Sequence, residues 1–136
     1  MPKQKFTTMG DRETLVYFRR AGIIPTVMQI LQMHSTEPKI AKRVFTIIRL
    51  LAQDDTNRDE MISRGVCEMM VDVIRMHFSQ PDVLDAYIDA IISLGETDDG
   101  CSRIMTRQTN SLSHVENALI IQLIRSKTDD EYDENF

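Results

Sequence analysis

The chain has 136 residues, 42% of them hydrophobic and 27% charged, proportions that suit one ordinary globular domain. Its net charge of -5 sits mostly in Ser126–Phe136, which holds five acids and one Lys, so the rest carries no basic footprint of a nucleic-acid binder. No apolar run reaches membrane-span length, and the opening segment lacks the apolar core of a secretory signal. Its early basic residues leave a mitochondrial presequence as an alternative, against which Asp11 and Glu13 count. Cys67 and Cys101 have no CxxC spacing and no flanking His, which points to a reducing, cytoplasmic setting.

In chain order, residues 1–9 read as a loose polar start. Gly10-Asp11 opens a first helix, with Asp11 as N-cap and Gly22 as a left-handed stop. A second helix spans Ile24 to His34, with Pro25 in its first turn and Ile24, Val27, Met28 and Leu31 as its stripe. Pro38 starts the longest helix, to about Gln53, whose apolar residues cover two faces and so predict a helix held between neighbours. Asn57 and Glu60 suggest a capping box for a short helix that Gly65 ends. The cycle then recurs, from Cys67 to Phe78 and from Pro81 to Leu94, with a short helix at Ser102–Arg107. Thr109-Asn110-Ser111 reads as an inserted loop, Leu112–Arg125 as a last amphipathic helix, and residues 126–136 as an acidic, disordered tail.

Gly22–Leu51 superposes on Gly65–Leu94 at a shift of 43 residues without a gap. Met33-His34 falls on Met76-His77 and Pro38 on Pro81, and the apolar positions coincide. A gapless period of this size marks a stacked helical repeat. The order of short helix, Gly, middle helix and Pro-started long helix resembles the armadillo repeat, and Ala21-Gly22-Ile23-Ile24-Pro25 is similar to that family's junction. The resemblance implies an all-α, right-handed α-solenoid over residues 10–125. It would have two full repeats and partial ones at each end, about seven helices in all, with third helices lining a concave groove. Import receptors of that family carry a Trp and an Asn on these helices. The matching positions here are Thr46 and Leu50, then Asp89 and Ser93, so recognition of nuclear localisation peptides is not implied.

The resemblance implies a non-enzymatic protein–protein interaction module, a scaffold, adaptor or structural subunit of a larger assembly. The alternative is an accessory or regulatory subunit of an enzyme complex. No nucleophile has an adjacent base and orienting group, no His/Cys/Asp cluster has metal-ligand spacing, and the glycines form no phosphate loop, so no catalytic residue, metal or cofactor is expected. His34 and His77 read as structural helix ends, and Cys67 as a buried apolar position. The partner, another protein or peptide, is expected at Lys42, Thr46, Arg49, Asp85, Asp89, Ser93 and Glu96. The repeat shift pairs Lys39 with Asp82 and Lys42 with Asp85, and leaves Arg49, Asp89 and Glu96 without matched partners. A second contact, with another protein or another copy, is expected at the end of the stack through Leu119, Ile120, Leu123 and Ile124, on a helix whose apolar residues surround it.

Overall fold

A computed structural model describes residues 12–133, where the chain is all-helical with eight α-helices and no strand among the described residues. α1 (Arg12–Arg20), α2 (Ile23–Met33) and α3 (Pro38–Leu51) are followed by α4 (Asp55–Ser63), α5 (Val66–Met76) and α6 (Pro81–Leu94). Every bound of the first triplet recurs 43 residues later in the second. The repeat in sequence is therefore a repeat of three-helix units. α7 (Asp98–Ser111) and α8 (His114–Asp133) follow.

The punctuating residues produce this repeat locally. Gly22 and Gly65 separate the first and second helices with φ of 84° and 91°. Their amides close the preceding turns on the carbonyls of Arg19 and Ile62, in a left-handed backbone that penalises any Cβ. Pro38 and Pro81 open α3 and α6, where a fixed φ fits and no donor is missed. His34 and His77 close α2 and α5. Buried His77 places Nε2 2.6 Å from the Ser35 carbonyl and so ties the second unit to the first. His34 Nδ1 lies 2.6 Å from the Glu37 carboxylate.

Three local expectations fail, each for a visible reason. Asp54, not Asn57, caps α4: its carboxylate accepts from the Asn57 amide at 2.9 Å. Asn57 lies inside the helix and is fully buried, while Glu60 pairs with Arg64 at 3.0 Å rather than closing a capping box. Next, Thr109-Asn110-Ser111 is helical. The position equivalent to Gly65 is Gln108, so nothing stops α7, and it absorbs the extra residues. A capping box does appear at Ser113: its hydroxyl accepts from the Glu116 amide at 3.1 Å, and its own amide donates to the Glu116 carboxylate at 2.9 Å. Leu112 is extended, and the last helix starts after it. Finally, α8 continues to Asp133, well into the segment expected to be disordered. The expected N-cap Asp11 and the loose start lie outside the described residues, as do residues 134–136.

α3 and α6 make the most extensive helix contact and run in the same direction, Lys42 lying opposite Asp82 and Phe45 opposite Tyr87. Phe45 meets Tyr87 edge-on at 5.7 Å between ring centres. Ala41, Val44, Phe45, Ile48 and Leu51 are all buried, so α3 is held between neighbours, as its two-faced pattern predicts. Burying each large side chain of this kind contributes about 1.5–3 kcal/mol. The Tyr87 hydroxyl donates to the Gln108 side-chain oxygen at 2.6 Å and fastens α6 to α7. Burial pushes its pKa up, so it stays a neutral donor.

Candidate functional site

Equivalent polar rows on α3 and α6 lie beside one another, because the two helices are adjacent and parallel. The α3 row is Lys42, Thr46 and Arg49, and the α6 row is Asp85, Asp89 and Ser93, with Glu96 in the turn just past the helix. The hydroxyls of Thr46 and Ser93 turn back to the carbonyls four residues earlier, Lys42 and Asp89, at 3.1 and 3.4 Å. They contribute little to a polar surface beyond these local bonds.

The charges pair differently from the expected ladder. Lys42 meets Asp82 at 3.7 Å rather than Asp85, and both side chains are exposed. Asp85 and Asp89 instead hold Lys127 of α8, at 2.7 and 2.5 Å. Burial works against the Lys127 ammonium, but the hydrogen bonds it donates to both carboxylates, and their charges, outweigh it and raise its pKa. Glu96 meets Arg58 of α4 at 3.4 Å. Asp89 and Glu96, expected to be free for a partner, are therefore engaged within the chain. The second half of α8 is what sequence reasoning missed: an acidic tail was expected where the chain places a helix carrying one Lys against two Asp. Arg49 remains as expected, with no ion pair among the described residues, and Lys39 and Arg43 share that state. The unmatched charge of this surface is positive and lies on α3.

The far end of the chain departs from expectation as well. Ile120 is fully buried, and Leu123 and Ile124 pack partly against the core. These three are held inside because α8 crosses α6 and α7 rather than standing bare. Leu119 stays 37% exposed, and the other apolar residues open at this end are Met105, Val115 and Ile121. A cleft of about 270 Å³ lies among Ile91, Ile104, Met105, Ile121 and Ile124. Cys101 and His114 also line it, but no hydrogen bond joins them, and the Asn117 amide is spent on the carbonyls of Gln108 and Leu112. Among the described residues no base is hydrogen-bonded to the thiol, as an activated nucleophile requires. Cys67 is buried, as its apolar repeat position predicts, and burial, with Glu68 adding, pushes its pKa up to about 12.

Among the described residues, no three His, Cys, Asp or Glu side chains gather as a metal ion requires. No described helix is long and apolar enough to cross a membrane. Comparison of the chain with protein-family models, curated proteins and solved structures returns no match.

Proposed function

We propose that this chain is a non-enzymatic protein–protein interaction module, an armadillo-like α-solenoid that works as a scaffold, an adaptor or a subunit of a larger assembly. One observation carries this: in a chain of net charge -5, α3 presents Lys39, Arg43 and Arg49 without an acid to meet them among the described residues. The acids of the neighbouring helix, and Glu96 just past its end, are each already paired. Unmatched charge along one helix steers and orients a partner more than it stabilises a fold. The two free thiols suit a reducing, cytoplasmic setting. Reversing Arg43 and Arg49 to Glu is expected to abolish capture of partners from native extract while leaving the melt unchanged. Unaltered capture would remove α3 from the site.

A second contact surface is favoured by the apolar residues left open at the far end, Met105, Val115, Leu119 and Ile121. Leu119→Lys with Ile121→Lys is expected to raise solubility and release any partner docked there, whereas a change at buried Ile120 reports only on folding.

A further inference from the structure

The repeat allows the two ends of α3 and α6 to be compared position by position. On α6 the row Asp82, Ala86, Ala90 and Ser93 follows helical spacing, and Asp82 meets Lys42 of α3 across it. Ala86 and Ala90 on that row are 8% and 0% exposed. Small residues of this kind leave room for α3 to lie close along α6, its most extensive helix contact among the described residues. Shifted back by 43 residues, the same row on α3 is Lys39, Arg43, Ile47 and Leu50. No described helix covers it: Lys39 and Arg43 are exposed, Ile47 is 39% exposed and Leu50 half-buried.

Substitution of Arg43 for the alanine-equivalent position closes this face to another helix packed as α3 packs on α6. A guanidinium pressed between two helices would lose its water without gaining a partner. The face is also divided. Its first half is basic, and its second half opens on a cleft of about 180 Å³ lined by Leu15, Phe18, Ile23, Ile47, Leu50 and Leu51. A cavity of about 150 Å³ with comparable walls takes a benzene molecule, so this cleft has room for one bulky side chain. No side chain in that wall carries a polar group.

We propose that this outer face of α3 is a docking site for an acidic segment of a partner protein that carries one bulky apolar residue. Lys39 and Arg43 receive carboxylates, and the side chain of the anchor enters the cleft beside Ile47 and Phe18. Charge complementarity selects the partner: the face has two cations without counter-charges among the described residues, and an acidic segment supplies both. This deepens the reading of the chain as an interaction module and rests on it.

The test uses the full chain, isotopically labelled, and three synthetic heptapeptides: an acidic one with a central Phe, the same one with Ala in place of Phe, and a basic one with the Phe. The acidic Phe peptide is expected to bind saturably, to weaken in high salt, and to shift amide signals of residues 39–50 together with Phe18 and Ile23. Arg43→Glu and Ile47→Asp, both at exposed positions, are each expected to weaken it at least about tenfold with an unchanged melt, a loss of about 1.4 kcal/mol. The Ala peptide is expected to lose as much, and the basic peptide not to bind. Equal binding of the Ala and Phe peptides, still reversed by Arg43→Glu, would overturn the anchor cleft and leave α3 standing as an interaction surface. Absence of saturable binding, or shifts confined to the cleft around Met105, would overturn the site itself. Concentration-dependent self-association abolished by Arg43→Glu would replace the foreign partner by a second copy and overturn the assignment.

Discussion

Between α1 and α4 the chain is joined by a network of polar side chains; between α4 and α7, one unit later, the equivalent positions have lost that network, and Ile62 approaches Gly100 while Arg103 donates to the Ile62 carbonyl at 3.3 Å. In the first joint Arg19 donates to the Asp54 carboxylate at 2.7 Å and to the Asn57 side-chain oxygen at 2.8 Å. Asn57 donates in turn to the Leu15 carbonyl at 3.3 Å. Shifted by 43 residues, Arg19, Asp54 and Asn57 become Ile62, Thr97 and Gly100. Thr97 keeps the cap, accepting from the Gly100 amide at 3.1 Å, but charge and amide are gone. A Cβ on Gly100 would overlap the Leu94 carbonyl oxygen and stand 3.0 Å from Ile62 Cδ1. At these three positions one joint is specified by matched hydrogen bonds, the other by the absence of a side chain at Gly100. A buried charge tolerates no missing partner, and a close contact tolerates no added atom.

Gly100→Ala should therefore have the largest effect, roughly 3 kcal/mol or more, at or above the upper end of overpacking costs because a backbone atom blocks the new carbon. Cys67 gives the variant a local readout, since its sulfur lies 3.9 Å from the Gly100 carbonyl oxygen. In the native chain a thiol reagent near neutral pH should modify exposed Cys101 and spare Cys67, whose pKa is pushed up to about 12. In the variant, peptide mapping should find Cys67 modified too. A variant with a native melt and a protected Cys67 would show that the joint yields easily.

The polar joint should break differently. Asn57→Ala should cost about 1–3 kcal/mol, because the Leu15 carbonyl loses its donor and Arg19 loses one acceptor. Adding Arg19→Met should cost less than its effect alone, since the two residues share one network. Strict additivity in that double-mutant cycle would mean that the joint is not held as a unit.

Gly65→Ala sharpens the contrast between two glycines. At Gly65 the nearest atom to a new Cβ would be Glu68 Oε1 at 3.9 Å, which is ordinary contact. The cost is then only that of a left-handed backbone, about 1–2 kcal/mol. The same substitution thus tests sterics at Gly100 and backbone conformation at Gly65, and Gly65→Ala should leave Cys67 protected.

The difference between these glycines also marks how far the sequence could be read. Gly65 lies between two helical periods and repeats Gly22, so its left-handed backbone is predictable from local pattern alone. The helices, their period and the buried face of α3 follow from the same kind of signal. Gly100 has no such signature, because its constraint comes from the Leu94 carbonyl at the end of α6 and from Ile62 across the joint. Asn57 misled for a related reason: it looks like a cap locally, and only the approach of Arg19 assigns it to the interior. At the candidate site, Arg49 was legible because it has no counterpart at the repeat shift. The engagement of Asp89 and Glu96 was not, since Lys127 and Arg58 come from helices that the repeat comparison does not pair with α6.

Lys127→Met should have the smallest effect on stability and still distinguishes a structural clamp from an ornament. The ammonium bridges Asp85 and Asp89, but its side chain is 30% exposed and that of Asp85 67%. Solvent screening then limits such pairs to about 0–1 kcal/mol. The difference from wild type should shrink in high salt, where exposed pairs are screened. Its pH dependence has a fixed sign. The folded-state pKa of Lys127 is raised above 10.5, so its contribution is complete below that value and is lost as pH rises through the raised pKa. Melts of the two proteins should differ slightly near neutral pH in low salt and converge in strong alkali. Removing the cation also leaves Asp85 and Asp89 unpaired one turn apart on α6, where like charges repel. The variant should therefore begin to bind the basic heptapeptide that the native chain ignores. If it does not, and the neutral-pH melts already coincide, Lys127 neither holds α8 on α6 nor masks the acidic row.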